Sequence, residues 1–400
     1  MPDQRHIRAL AELVVRFGAN VQPGQIVALS SEPGKERLAR TIAEVAYEQG
    51  AKFVDLAVFD VHLKHARALH ADKETLGFVP PWYGERAIAL GEHRCARIGL
   101  SGPVAPKIMD DVEPERLGLD MLPSVREGIA IVNDRTTNWT IAPCPTPDWA
   151  ELVHPDLELG AALERLWGQI FHVCRIDEPN PVAAWEARID GLVKAAEKLD
   201  ESRLDALHFE GPGTDLTVGL LSGSRWRCGH FSTIEDIVHH PNLPTEEVFT
   251  TPDPMRVDGV VRATKPLFAS GAMVSGLRVR FEGGRAVEID ADQGAGTLRA
   301  LADRDPGAAR LGEVALVDRE GRIGPLETVF YDTLLDENAA SHIALGQGFG
   351  LAVEGESDQE RINGSEIHID FMIGSDDVAV TGIGTGGERV PLLRGGAWQI

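Results

Sequence analysis

Cysteine is scarce in this chain. Four occur in 400 residues, at positions 95, 144, 174 and 228, and none belongs to a C-x-x-C pair. That spacing argues against a disulfide framework and against a closed thiolate zinc site, and it makes a reducing cytoplasm the expected compartment. Long apolar runs are missing too. No stretch of eighteen apolar residues occurs, so no membrane-spanning helix is expected. The start, M-P-D-Q-R-H-I-R-A-L, lacks the apolar segment of a secretion signal. Positive charge is the third shortage: 39 Lys and Arg stand against 62 Asp and Glu, a formal charge of −23. A surface of that sign repels nucleic acid and anionic membranes, so neither is an expected partner.

Familiar catalytic signatures also fail. S-E-P-G-K-E follows a strand-like run, but Leu29 and Glu36 stand where a P-loop needs Gly and Ser or Thr. G-I-G-T-G-G (382–387) matches G-x-G-x-x-G in letters only. It runs on to Pro391, which no helix interior accepts, so a hairpin loop is expected there. Neither H-E-x-x-H nor G-x-S-x-G occurs.

What is present fits an ordinary globular chain, with 43% hydrophobic and 25% charged residues. Residues 1–190 read as an α/β domain. Ile7, Leu10, Leu13, Val14 and Phe17 form a helical stripe. G-Q-I-V-A-L-S-S (24–31) reads as a strand, 36–48 as an amphipathic helix closed by Gly50, and 51–59 as the next strand. Such a β-α-β unit predicts right-handed, parallel pairing and a Rossmann-like domain. Residues 96–103 and 128–134 read as further strands, and 182–199 as a long helix. Beyond Leu207 the chain turns to short strands and glycine turns, with hairpins at R-V-R-F-E-G-G-R-A-V-E-I-D and at the end. Residues 191–400 therefore read as an α+β domain.

Polar groups interrupt those C-terminal strands. In S-E-I-H-I-D-F-M-I-G-S-D-D (365–377), Ile367, Ile369, Phe371 and Ile373 share one strand face, and His368, Asp370 and Met372 the other. His368 and Asp370 lie about 6.6 Å apart along such a strand. That face is either wet or holds an ion. Glu246 and Glu247 sit in N-L-P-T-E-E-V-F-T-T-P-D, which by itself reads as a turn leading into a strand. Glu313 stands at the mouth of the apolar run Val314 to Val317, where a carboxylate needs a partner or an ion. His342 is surrounded by small and apolar residues, the setting of a core histidine. Together Glu247, Glu313, His342, His368 and Asp370 offer oxygen and nitrogen donors suited to one or two Zn²⁺-, Co²⁺- or Mn²⁺-like ions.

P-T-E-E-V-F-T-T-P-D, R-V-D-G-V-V, L-G-E-V-A-L-V, D-E-N-A-A-S-H-I-A-L-G and H-I-D-F-M-I-G resemble, in order, the thermophilic-type metallo-aminopeptidases (aminopeptidase T, aminopeptidase S and relatives). V-Q-P-G-Q-I-V-A-L and T-P-D-W-A extend the likeness into the N-terminal half. The resemblance implies a two-metal centre held by Glu247, Glu313, His342, His368 and Asp370. It also implies short peptide substrates, attack by a metal-activated water, and a homodimer whose sites open into a chamber. Glu313 is the first choice for moving the proton to the leaving amine, and Glu247 or Glu246 the second. A homodimer would also bury the apolar strands V-A-L-V, H-I-A-L-G and I-D-F-M-I. One position departs from the family. Phe349 stands seven residues after His342, where relatives carry a tyrosine that helps bind or polarise the substrate. Two alternatives remain. His342, His368 and Asp370 match the facial triad of an Fe(II) ring-cleaving dioxygenase, and a non-catalytic, metal-stabilised binding protein would need the same ligands.

Overall fold

The computed structural model describes residues 2–120, 122–123 and 125–400. Four parallel strands build the N-terminal sheet: β1 (Ile26–Ser31), β2 (Phe53–Val58), β3 (Ala96–Ser101) and β4 (Trp139–Pro143), in the order β2-β1-β3-β4. Helix α1 (Glu36–Glu48) joins β1 to β2 and buries Leu38, Ile42 and Val45. Gly50 follows with φ of 95°, the left-handed stop that a helix end favours.

The strand expected at 128–134 is not one. Residues Arg126–Asn133 form helix α2, and the fourth strand comes later, at Trp139–Pro143. A short apolar run carries no period that separates strand from helix. Here Ile131 is the side chain buried, close against Gly91 of a neighbouring helix.

Helix α3 (Pro181–Glu201) contributes to two cores. Trp185 packs with the N-terminal sheet, whereas Leu192, Ala195, Ala196 and Leu199 pack into the C-terminal core. That second core lies between two antiparallel sheets. One has eight strands and includes both expected hairpins, 278–290 and 379–394. The other has five: β5 (Arg227–Cys228), β6 (Glu247–Thr250), β7 (Leu311–Val317), β8 (His342–Gly346) and β9 (His368–Met372), in the order β9-β8-β7-β6-β5. Val314, Leu316, Ile343, Leu345 and Phe371 turn into this core. The apolar strands that from sequence offered a dimer surface are therefore mostly buried within the chain itself. The segment before β6 is stitched to the parallel sheet, as Ile141 N–H donates to Pro241 O at 2.7 Å and Leu243 N–H to Ile141 O at 2.9 Å. The whole is a mixed α/β architecture.

Candidate metal centre

Strand register places the site. Asp370 pairs with Ala344, Ala344 with Glu313, His342 with Ala315, and Val317 with Glu247. Cross-strand partners point to the same face, and so do residues two apart along a strand. Glu247, Glu313, His342, His368 and Asp370 therefore share the face opposite the core.

Glu313 reaches that face through a bulge. Leu311 pairs with Leu345, so an unbroken ladder would set Glu313 opposite Ile343, on the core side. The extra residue, Gly312, shifts the register and sets Glu313 opposite Ala344 instead. Gly312 has no room for a side chain: a Cβ there would lie 2.3 Å from Gln347 O and 2.4 Å from Gly346 O.

Both imidazoles are held from behind. His368 Nδ1 lies 2.8 Å from Gln347 O, and His342 Nδ1 lies 3.2 Å from Ala340 O. A carbonyl only accepts, so each Nδ1 carries a hydrogen, and Nε2 is the ring nitrogen turned to the cluster. His368 Nε2 sits 3.1 Å from Glu313 Oε2 and 3.3 Å from Asp370 Oδ1. His342 Nε2 sits 3.0 Å from Glu247 Oε2. That last contact has the distance of an ion pair but not the alignment of a hydrogen bond, and Glu247 Oε2 is buried without a donor.

Among the described residues, three triplets have ligand atoms all within 4.8 Å of one another: Glu247, Glu313 and His342; Glu313, His368 and Asp370; and Glu337, His342 and Asp370. These donors lack thiolates and suit a borderline or hard divalent cation. The electrostatics agree. Burial pushes the Glu313 carboxyl up to about 6, helped by Asp370 and Glu247. Burial opposes charge on His342, but Glu247, Glu313 and Asp370 outweigh it and raise the imidazole to about 10. His368 is raised well above its usual range against the same opposition, by Asp370 and Glu313. A pocket negative enough to hold protons on two imidazoles is one that a divalent cation would neutralise.

Glu337 was not visible as a site residue in the sequence. It ends the short helix α4 (Thr333–Glu337), and its carboxyl is raised well above the usual range by burial, then by Asp370 and Glu247. Its one sequence signal is its place five residues before His342 in D-E-N-A-A-S-H. Trp139 carries no sequence signal of a site residue. It comes from β4 and lines the same cavity of about 180 Å³. Glu246 lies elsewhere. Fully buried, it accepts from Arg175 Nη2 at 2.8 Å and from Arg188, which also binds Asp318 at 3.1 Å. Glu246 precedes β6, which starts at Glu247, and its ion pairs make it a structural anion behind Glu247. Phe349 does face the cluster. Its ring centroid is 4.9 Å from that of His368.

Comparison with known proteins agrees with this geometry. A family model described as thermophilic metalloprotease (M29) matches residues 3–398. Aminopeptidase T of Thermus aquaticus is 43% identical over 403 residues, covering 99% of this chain and 98% of that protein. Aminopeptidase 2 of Geobacillus stearothermophilus is 37% identical, covering 99% of this chain and 98% of its own. The solved structure of wild-type AmpT from Thermus thermophilus superposes with a TM-score of 0.88 at 41% identity, over 99% of this chain and 100% of that one.

Proposed function

The chain belongs to the thermophilic metalloprotease family (M29), and on that premise we propose that it is a metal-dependent aminopeptidase. It would release the first residue of short peptides at the Glu247, Glu313, His342, His368 and Asp370 cluster. The convergence of those five side chains on one largely buried sheet face carries this reading. When bound, divalent cations of the Zn, Co or Mn class supply a water of lowered pKa and a Lewis acid for the scissile carbonyl. Two are proposed, because Glu313 belongs both to the triplet with Glu247 and His342 and to that with His368 and Asp370.

The remaining work falls to the chain. Glu313 would take the proton from the attacking water and return it to the leaving amine, with Glu247 the next candidate. Glu337 and Asp370 would accept hydrogen bonds from the substrate's free amine, which confines cleavage to chain ends. Phe349 offers a ring without a hydroxyl, so no hydrogen bond to the developing oxyanion comes from its position.

The iron-dependent alternative is not favoured. Among the described residues, no close triplet joins His342, His368 and Asp370, and the family is one of metalloproteases. Several finer points belong to the same proposal. The parallel β2-β1-β3-β4 order supports a Rossmann-like N-terminal domain, with the boundary near residue 190. Four free, buried cysteines support a cytoplasmic setting. Exposed Phe53, Leu56 and Val58 on the open edge strand β2 support a homodimer.

Chelation should abolish cleavage of a short peptide, and divalent metal should restore it. N-acetylation of that peptide should stop cleavage. Full activity in a verified metal-free sample, or equal cleavage of the acetylated peptide, would overturn the assignment. Light scattering should return about twice the 43.3 kDa chain mass.

A further inference from the structure

Resting on the aminopeptidase reading, we propose that Phe231, Phe249, Phe349 and Leu351 form the subsite for the side chain of the residue being released. Phe231 and Leu351 set its size limit. The three rings make a ladder leading away from the cluster. Phe349 meets Phe249 at 5.7 Å and 69°, and Phe249 meets Phe231 at 6.0 Å and 78°, both edge-to-face. All four side chains line the same cavity as the carboxylates and imidazoles. Its volume is about 180 Å³. That volume also contains the space between the carboxylates and imidazoles, so the wall itself offers room for a single apolar side chain at most.

The surroundings give the direction. A cavity of about 440 Å³ shares Asn242 and Glu337 with the smaller one and lies at the carboxyl ends of β1 and β3, with Glu32 and Ser101 in its wall. A substrate of this enzyme ends at its amine, so the small compartment takes the first residue and the larger one takes the rest. Phe231 and Leu351 also line a third cavity, of about 870 Å³, whose wall includes Arg227, Gln347 and Asn363. They are thus a partition between the cavity that holds the cluster and a polar space. Leu351 O accepts from Arg227 Nε at 3.0 Å, which pins its backbone independently of its side chain. The chemistry that follows is a preference for apolar first residues of leucine to phenylalanine size. Acidic first residues are refused, because the wall cannot solvate a carboxylate.

The test uses the cation-loaded enzyme and four dipeptides, X-Ala with X as Leu, Phe, Trp or Asp. Calorimetric binding of free L-phenylalanine, L-tryptophan and L-aspartate runs in parallel. The wild type should favour Leu and Phe over Asp by about 10- to 100-fold in kcat/KM, the worth of one buried apolar side chain. Phe231→Ala and Leu351→Ala should each raise the Trp-to-Leu ratio by about tenfold and tighten tryptophan binding, by opening the partition. Equal cleavage of Asp-Ala and Leu-Ala by the wild type would overturn the subsite while leaving the aminopeptidase intact. Variants that lower all four rates equally would show a structural role and overturn the size limit. If no dipeptide is cleaved, the aminopeptidase reading fails and the subsite with it.

Discussion

Gly312→Ala should cripple the centre although residue 312 reaches no substrate. The added Cβ falls 2.3 Å from Gln347 O and 2.4 Å from Gly346 O, where 3.0 Å is the closest real contact. Backbone must therefore move by about 0.7 Å (3.0 − 2.3) at one carbonyl and about 0.6 Å at the other. Both are committed elsewhere. Gln347 O orients His368 through Nδ1 at 2.8 Å, and Gly346 O accepts from Asn363 Nδ2 at 2.6 Å. The alternative relief is to iron out the bulge, which would turn Glu313 towards the core. Overpacking of this kind costs about 1–3 kcal/mol of stability. A shift of about 1 Å in catalytic geometry costs about 10²-fold in rate. The expected outcome is a folded variant with reduced metal content and kcat/KM down by about 10²-fold. Gly168→Ala is the control, because nothing lies within 4 Å of its Cβ on the helix Leu159–Val173. It should be neutral, or stabilising by about 0.5–1 kcal/mol. If Gly312→Ala binds metal and turns over within twofold of wild type, the bulge does not position Glu313 and His368.

Phe349→Tyr should raise kcat about tenfold or more with little change in KM, the pattern of an interaction made only in the transition state. Steady-state kinetics on any cleaved peptide decide it, and an unchanged kcat counts against Phe349 as the limiting position. Glu246→Gln should lower unfolding free energy by about 3–5 kcal/mol in chemical denaturation, because it strips one anion from the buried Arg175 and Arg188 pairs. A loss under about 1 kcal/mol would show that the network is not structural. His239 and His240 are held down to about 4, chiefly by burial. The unfolded chain takes up protons near 6.5 that the folded one refuses, so their contribution is whole above about pH 6.5 and is lost as pH falls towards about 4. At pH 5 each should cost about 2 kcal/mol. Asp332 and Asp336, raised to about 6 and about 7 by burial, act in the opposite sense over an overlapping range. A His240→Gln comparison isolates one histidine: the pH 7 to pH 5 drop in stability should shrink, and an unchanged drop would refute the assignment.

Period and local chemistry made much of this legible. Residues 36–48 read as a helix because their apolar positions recur on one face, and Glu36–Glu48 is the helix found. His368 and Asp370 stood out because alternation put them opposite four apolar residues, and the face they occupy proves largely buried and shared with Glu313. What stayed hidden depended on register. L-G-E-V-A-L-V gives no sign that Gly312 is an inserted residue, since the bulge exists only relative to β8. Glu246 and Glu247 look equivalent until the arginines that hold Glu246 are known. Glu337 and Trp139 join the site from elements distant in sequence or too short to read. The apolar letters of 128–134 suit either period, and packing against a neighbouring helix decides for α2.

Helix α3 has a consequence for how such chains can change length. Its Trp185 sits in one core and its Leu192, Ala195 and Leu199 in the other. One residue inserted between them would turn the second set by about 100° and advance it by about 1.5 Å. The face that now enters the C-terminal core would then swing aside, while Trp185 stayed in place. Neither core could follow, because Arg188, on the same stretch, is tied to Glu246 and Asp318. Homologous chains should therefore vary in length in the loops on either side of this helix, and keep a fixed count of residues from Trp185 to Leu199.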